Sequence, residues 1–306
     1  MNDNSFSMIS AHSLTSLLEV LLVAALLSLF TGASAQMYDY SIKEDCLSRS
    51  GFEYGAVAGF YLPGKGSAHF YSGKPGEENN VEYIFKNKTW YEEIYRNLDA
   101  HYKVYIKGYP DNIKYTPAFE FGMFFSYNFN CRTSLYFQFS YVRLLVKDII
   151  TLQVDSITYL AEPDIRLFGI RGEEERNILD VAVNHYFGNS PVIRPMIGLG
   201  INMNNTLVKK HVLRIADKDY NLVNVYGNRP YIPGGTQQGY DIRQGGIGFG
   251  VFATVGARLE FSKLVAIEPG FTFYYKQINL ESAKGFYPQY NLFVRLCFRD
   301  LISFND

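Results

Sequence analysis

Between Gly246 and Tyr275 two runs of strictly alternating residues meet at Phe261-Ser262-Lys263, with almost no room for a loop. In the first run Ile247, Phe249, Val251, Ala253, Val255, Ala257, Leu259 and Phe261 share one face, and Gly248, Gly250, Thr254, Gly256, Arg258 and Glu260 take the other. The second run repeats the pattern, with Val265, Ile267, Phe271, Phe273 and Tyr275 opposite Glu268, Gly270, Thr272 and Lys276. A period of two is the mark of strands, so this segment is a long hairpin. One side of it is continuously apolar and the other is glycine and charge. A barrel wall with lipid outside and a polar interior demands that division.

Past residue 35 no apolar run approaches the length of a membrane-crossing helix, so a chain in the membrane must cross it as strands. The aromatic content, 16% with 25 Tyr and 24 Phe, suits strands and interfacial girdles. A formal net charge of -1 supplies no basic field for nucleic acid, and no phosphate-cradling or dinucleotide fingerprint is present. Leu17 to Phe30 is apolar except for Glu19 and Ser28 and ends in Thr31-Gly32-Ala33-Ser34-Ala35, which reads as a secretory signal cleaved after Ala35. A membrane anchor is the rival, but the run is short for a span, and no Lys or Arg precedes it. The expected organisation is a signal peptide over residues 1–35, a periplasmic lead-in over 36–49 and a barrel over 50–306.

The barrel's other strands are read at Ser50 to Leu62, Phe119 to Phe129, Leu135 to Tyr141, Leu179 to Phe187, Val192 to Met203 and Tyr290 to Phe298. That makes about eight strands, in an antiparallel up-and-down, all-β transmembrane barrel. The short links at Asn130, Gly188 and Ser262 then share one side. The long links, roughly 63–115, 147–177 and 204–245, share the other, as long extracellular loops. Pro163 removes its own run from a closed wall and assigns it to an external loop or raised hairpin, and Gly172 to Arg176 reads as a solvated turn. A ten-strand count is the alternative. Within the first long link, Thr89-Trp90-Tyr91-Glu92 resembles a capping box before a short helix with Trp90, Ile94 and Leu98 on one side, and His101 to Tyr109 suits a short strand.

Collecting the polar faces gives an interior set of Glu53, Glu120, Asp180, Glu260 and Glu268 against Arg194, Arg258, Arg295 and Arg299. Eight strands leave a lumen that side chains fill, so these charges are expected to pair with one another. The 5 His are scattered: His12 in the signal, His69, His101 and His211 in long links, and His185 facing outward. No strand sets a base beside a nucleophile, and no metal-ligand spacing occurs. No enzyme activity, cofactor or metal is therefore expected. The 3 Cys, Cys46, Cys131 and Cys297, fall near the short-turn rim. Cys46 could bond Cys131 or Cys297, or all three could stay reduced.

Leu179-Asp180-Val181-Ala182-Val183-Asn184-His185-Tyr186-Phe187-Gly188-Asn189, followed by Arg194-Pro195-Met196-Ile197-Gly198-Leu199-Gly200, resembles the fourth and fifth strands of small Bacteroidota-type outer-membrane β-barrel proteins. The resemblance spans roughly Ser50 to Phe298, with Ala182 and Met196 standing where proline and tyrosine are usual. It implies a porin-like fold and the outer membrane of a Gram-negative bacterium, but no reaction. The expected role is a non-enzymatic barrel embedded in outer-membrane lipid. Its loops would serve adhesion, a protein or glycan partner, or a structural or secretion-accessory task. The alternatives are a small channel or ligand carrier, and a lipid-modifying enzyme built from loop His and Ser residues. A soluble secreted β-sandwich is the alternative outside the membrane.

Overall fold

The computed structural model describes residues 50–77, 79–155, 163–188, 190, 192–222, 244–262, 264–280 and 285–299. The proposed signal peptide, the lead-in and Cys46 lie outside them. Ten strands form one sheet: β1 (Gly51–Leu62), β2 (Val104–Gly108), β3 (Ala118–Asn128), β4 (Thr133–Val154), β5 (Asp164–Tyr186), β6 (Ile193–Ile215), β7 (Lys218–Asn221), β8 (Gly245–Glu260), β9 (Val265–Gln277) and β10 (Phe286–Arg299). Eight of them close on themselves in the order β4-β3-β1-β10-β9-β8-β6-β5, with β5 returning to β4. Every pairing in the ring is antiparallel. β2 and β7 stay outside the ring, each paired to a single strand, β4 and β6. The wall has the eight strands expected, and the ten-strand wall is not formed, since the two further strands of the sheet lie outside the ring.

The ring turns its apolar face outward. Phe119, Phe121 and Met123 on β3 are 64%, 59% and 68% exposed, while Glu120 between them is fully buried. Leu199 and Ile201 on β6 and Phe249 and Val251 on β8 continue this belt. A belt of bare aromatic and branched side chains around a polar interior is stable only against lipid. Among the described residues no helix is long and apolar enough to cross a membrane. Close strand approach also explains a wall glycine: a Cβ at Gly55 would lie 1.8 Å from the Leu296 carbonyl oxygen of β10.

Three strands overrun the belt. β4, β5 and β6 have 22, 23 and 23 residues, about 70 Å of chain each, whereas β3 has 11. Most of the link expected at 147–177 is therefore paired strand, β4 running to Val154 and β5 starting at Asp164 just after Pro163, with 156–162 outside the described residues; the loop expected at 204–245 begins as a continuation of β6 followed by β7. Gly172 to Arg176 is strand, not a solvated turn.

The physical reason is an inversion of polarity along an unbroken alternation. On β4, Phe137 and Phe139 face out and Gln138 and Ser140 face in. Beyond Val142 the outward residues are Arg143, Leu145, Lys147 and Ile149, so charge enters the outer face, and the inward ones include Leu144, Val146, Ile150, Leu152 and Val154. The outer face thus turns from apolar to mixed, while the inner face turns from polar to apolar.

That inner apolar face is covered. A 3-10 segment, Lys65–Tyr71, seats Ala68, Phe70 and Tyr71 against Tyr115, Val142, Leu144, Val146 and Val208 at the mouth of the ring. Higher up, α1 (Glu82–Lys86) and α2 (Lys88–Asn97) place Ile84, Ile94 and Leu98 against Ile150, Leu152, Ile170, Leu213 and Ile215. Each such fully buried branched side chain stabilises the layer by about 1.5–3 kcal/mol. The helix cap is Asn87, whose side chain accepts from the Trp90 N–H at 3.2 Å, and not the Thr89 expected from the sequence. Trp90 packs edge-on against Tyr220 of β7, with ring centroids 5.6 Å apart.

Candidate functional site

Alternation stacks the polar side chains inside the ring in three tiers. The first lies at the short-turn end. Arg258 of β8 reaches across the lumen to Glu53 of β1 with two parallel bonds, 2.6 and 2.8 Å, and also meets Glu260 at 2.9 Å and Glu268 at 3.0 Å. Arg299 closes on Glu53 at 3.0 Å, and Arg194 on Glu260 at 2.5 Å. Arg295 stands 3.6 Å from Glu268 and donates to Gln138 at 3.1 Å. Its guanidinium lies 4.2 Å from the Tyr136 ring centre and 4.3 Å from that of Phe293. Seven of the nine residues selected from the sequence thus meet in one network. Its paired forks are the geometry in which buried charge is tolerated.

The other two, Glu120 and Asp180, sit in a middle tier and make no ion pair among the described residues. Asp180 accepts from Asn202 at 2.5 Å and from the Tyr274 hydroxyl at 2.7 Å, and Glu120 accepts from Gln138 at 3.5 Å. The cation of this tier is Lys276, fully buried and held 4.2 Å from the Tyr274 ring centre and 5.1 Å from that of Tyr61. Aromatic faces supply part of the stabilisation that a carboxylate would otherwise give.

The third tier, at the long-link end, comes from the segment read as a turn. Arg176 of β5 is fully buried and bonds Glu174 at 2.5 Å, Gln289 at 3.0 Å, Ser67 at 3.2 Å and Tyr115 at 3.3 Å. Glu174 also accepts from the Tyr71 hydroxyl at 2.7 Å and from Tyr115 at 3.0 Å. Tyr61 bonds Gln289 beneath them. This tier ties the 3-10 segment and the approach to β3 into the wall, so a fastened plug sits in the mouth. Gly172 makes room for it, since a Cβ there would fall 2.1 Å from the Tyr71 ring. Two-residue parity carried back from Asp180 to Arg176 and Glu174 is the signal that would have found them.

His211, expected in a loop, is fully buried on β6 against the rings of Phe70 and Tyr71. Burial pushes its imidazole down to about 3, so the ring is neutral. Beside it, burial and the Glu174 carboxylate hold the Tyr71 and Tyr115 hydroxyls well above the ordinary tyrosine range, which keeps both as donors. At the short-turn rim Cys131 is disulfide-bonded and Cys297 is a buried free thiol. Among the described residues no group of His, Cys, Asp and Glu is placed to hold a metal ion.

A closed eight-stranded ring, bare and apolar outside, charged and filled inside, defines a transmembrane β-barrel of the outer-membrane type. Solved structures similar to it include Neisserial surface protein A, with 10% identity, 82% of this chain and 98% of that one covered, and a TM-score of 0.38. Also similar are the outer membrane protein OprG from Pseudomonas aeruginosa, at 12%, 84%, 100% and 0.38, and the attachment invasion locus protein Ail of Yersinia pestis in complex with the heparin analogue sucrose octasulfate, at 8%, 81%, 99% and 0.33. No protein-family model matches the sequence, and neither does any curated protein.

Proposed function

We propose that the protein is a sealed, non-enzymatic barrel of a Gram-negative outer membrane whose folded outer layer binds a protein or glycan partner. The plug fastened by Arg176 and Glu174 is the observation that carries this reading. A channel has no use for a mouth closed by buried ion pairs and an apolar seal. A pocket at the short-turn rim, lined by Glu53, Tyr186, Arg194 and Arg258, encloses about 200 Å³, open solvent included. Three strands that continue far past the lipid belt and carry two helices use much of the chain to build a surface away from the membrane. The long-link end faces outward in this reading, as in barrels with short periplasmic turns. Export follows from cleavage of the signal after Ala35, and a bond from Cys46 to Cys131 would moor the start of β1 to the rim.

Reconstitution into planar bilayers tests the seal. The intact protein should give no steady conductance at neutral pH, and a stable open level would overturn the reading in favour of a channel.

A further inference from the structure

Beyond the ring the long strands continue as a sheet in the order β2-β4-β5-β6-β7, which has two edges. At the β7 edge the charges are already matched: Lys218 meets Glu93 at 2.6 Å, and Asp219 meets Lys210 at 3.5 Å. The β2 edge differs. β2 pairs with the last residues of β4, Thr151 to Val154, and with no other strand. The Val104 N–H points away from β4 and donates to the Tyr91 hydroxyl at 3.3 Å. By the period of two the Ile106 N–H points the same way, and among the described residues it meets no acceptor. Val104 and Ile106 turn their side chains into the buried layer with Ile94, Leu98 and Leu152. Lys103, Tyr105 and Lys107 are exposed on the opposite face, and neither lysine makes an ion pair among the described residues.

An edge with open backbone groups is a template for another strand. The charges decide which strand. A second copy of β2 docked antiparallel about Tyr105 would set Lys103 against Lys107 twice, and like charges directly opposite each other destabilise a ladder. A strand that carries acids at those two places meets both lysines favourably. We propose that the β2 edge is a docking site for an extended acidic segment of a partner protein, which joins the sheet as one more strand. Three alternate residues of the docked strand, acid, apolar and acid, face Lys103, Tyr105 and Lys107. The residues between them are apolar and cover Val104 and Ile106. The Ile106 N–H and the Val104 and Ile106 carbonyl oxygens supply the main-chain bonds, which give affinity, while the alternating side chains give specificity. This docking rests on the reading of the outer layer as the partner-binding surface.

The test uses the full chain in phosphatidylcholine nanodiscs and two labelled peptides, Thr-Glu-Val-Leu-Val-Glu-Thr and the same sequence with Lys in place of Glu. Binding is read by fluorescence anisotropy. Wild type should bind the acidic peptide about tenfold more tightly than the basic one, about threefold per charge pair. Lys103→Glu with Lys107→Glu should reverse that preference and leave Trp90 fluorescence unchanged, since neither lysine holds a partner. Methylating either the two Val amides or the Leu amide of the acidic peptide should give opposite results, one abolishing binding and the other leaving it. Only one alternate set of N–H groups can face β2. Equal effects of the two methylations would overturn strand addition. An unchanged preference in the double variant would overturn Lys103 and Lys107 as the readers of charge, and no saturable binding of either peptide would overturn the edge as a site. Conductance reads the seal separately, so failure of both peptides on a closed barrel leaves the sealed barrel standing.

Discussion

Replacing Arg176 with Met should open the outer layer while leaving the barrel standing. Arg176 is fully buried and joins four partners from separate parts of the chain: Glu174 on its own strand, Gln289 on β10, Ser67 in the plug and Tyr115 before β3. Met fills much of the same volume, so cavity formation contributes little. What remains is the Glu174 carboxylate, also fully buried, with only the Tyr71 and Tyr115 hydroxyls to stabilise it. Stranding one member of a buried pair costs about 3–5 kcal/mol. The plug and the helices share one connection between β1 and β3, so the loss should fall on that layer first.

The single Trp gives the assay: Trp90 on α2 reports the layer, and heat-modifiable migration on gels reports the barrel. Under urea in detergent, Arg176→Met should lower the Trp90 midpoint by an amount equivalent to about 3–5 kcal/mol and leave the gel shift in place. Adding Glu174→Gln should recover at least about 2 kcal/mol, because the stranded charge is gone. Equal movement of both probes, or no recovery in the double variant, would refute the plug as a separately fastened unit.

His211 makes that layer acid-sensitive. Its folded pKa is depressed to about 3, so below about 6.5 the unfolded chain takes up a proton that the fold refuses, and stability falls as pH drops from 6.5 toward 3. Between pH 7.5 and 5 the loss should be about 2 kcal/mol by the Trp90 probe, and His211→Leu should abolish it; an unchanged slope in that variant would remove His211 as the cause. Asn87→Ala should cost about 1 kcal/mol on the same probe, since the Trp90 N–H loses its acceptor; no change would show that the cap is dispensable. Peptide mapping without reduction should find Cys131 linked to Cys46 and Cys297 alkylated only after unfolding. A Cys131 that reacts in the native protein would dismiss the bond, whose loss should otherwise cost about 2–5 kcal/mol.

The part of the fold within the lipid belt was legible because one rule governs every strand there, apolar out and polar in. Arg258, Glu260 and Glu268 could be placed on one face from spacing alone, and they share a network with Glu53, two strands from β9 around the ring. The rule fails at Tyr141 without any break in the strand. Beyond that point Val142, Leu144 and Val146 continue inward as apolar residues, and Arg143 and Lys147 bring charge to an outward face they share with Leu145 and Ile149. Judged by hydrophobicity, the strand seems to swap faces, and a swap of faces reads as a turn. Glu173-Glu174-Glu175 hides the same event on β5, because a run of three acids suggests solvent on all sides. Parity assigns Glu174 alone to the interior, opposite Arg176 and the two tyrosines. A one-residue bulge at Lys209 then shifts β6 against β5, so parity carried up from Asn202 assigns His211 to the wrong face. The inversion therefore contains information that a search for strands discards. On each of the three long strands charge first enters the outward face at a definable step, between Tyr141 and Arg143, between Leu179 and Glu175, and between Met203 and Lys209. The registers set Phe139, Leu179 and Met203 side by side across the three strands. Charge that enters the outer face of three adjacent strands sets a direction: sinking the long-link end into lipid would bury Arg143 first, and that costs more than wetting the apolar residues beside it.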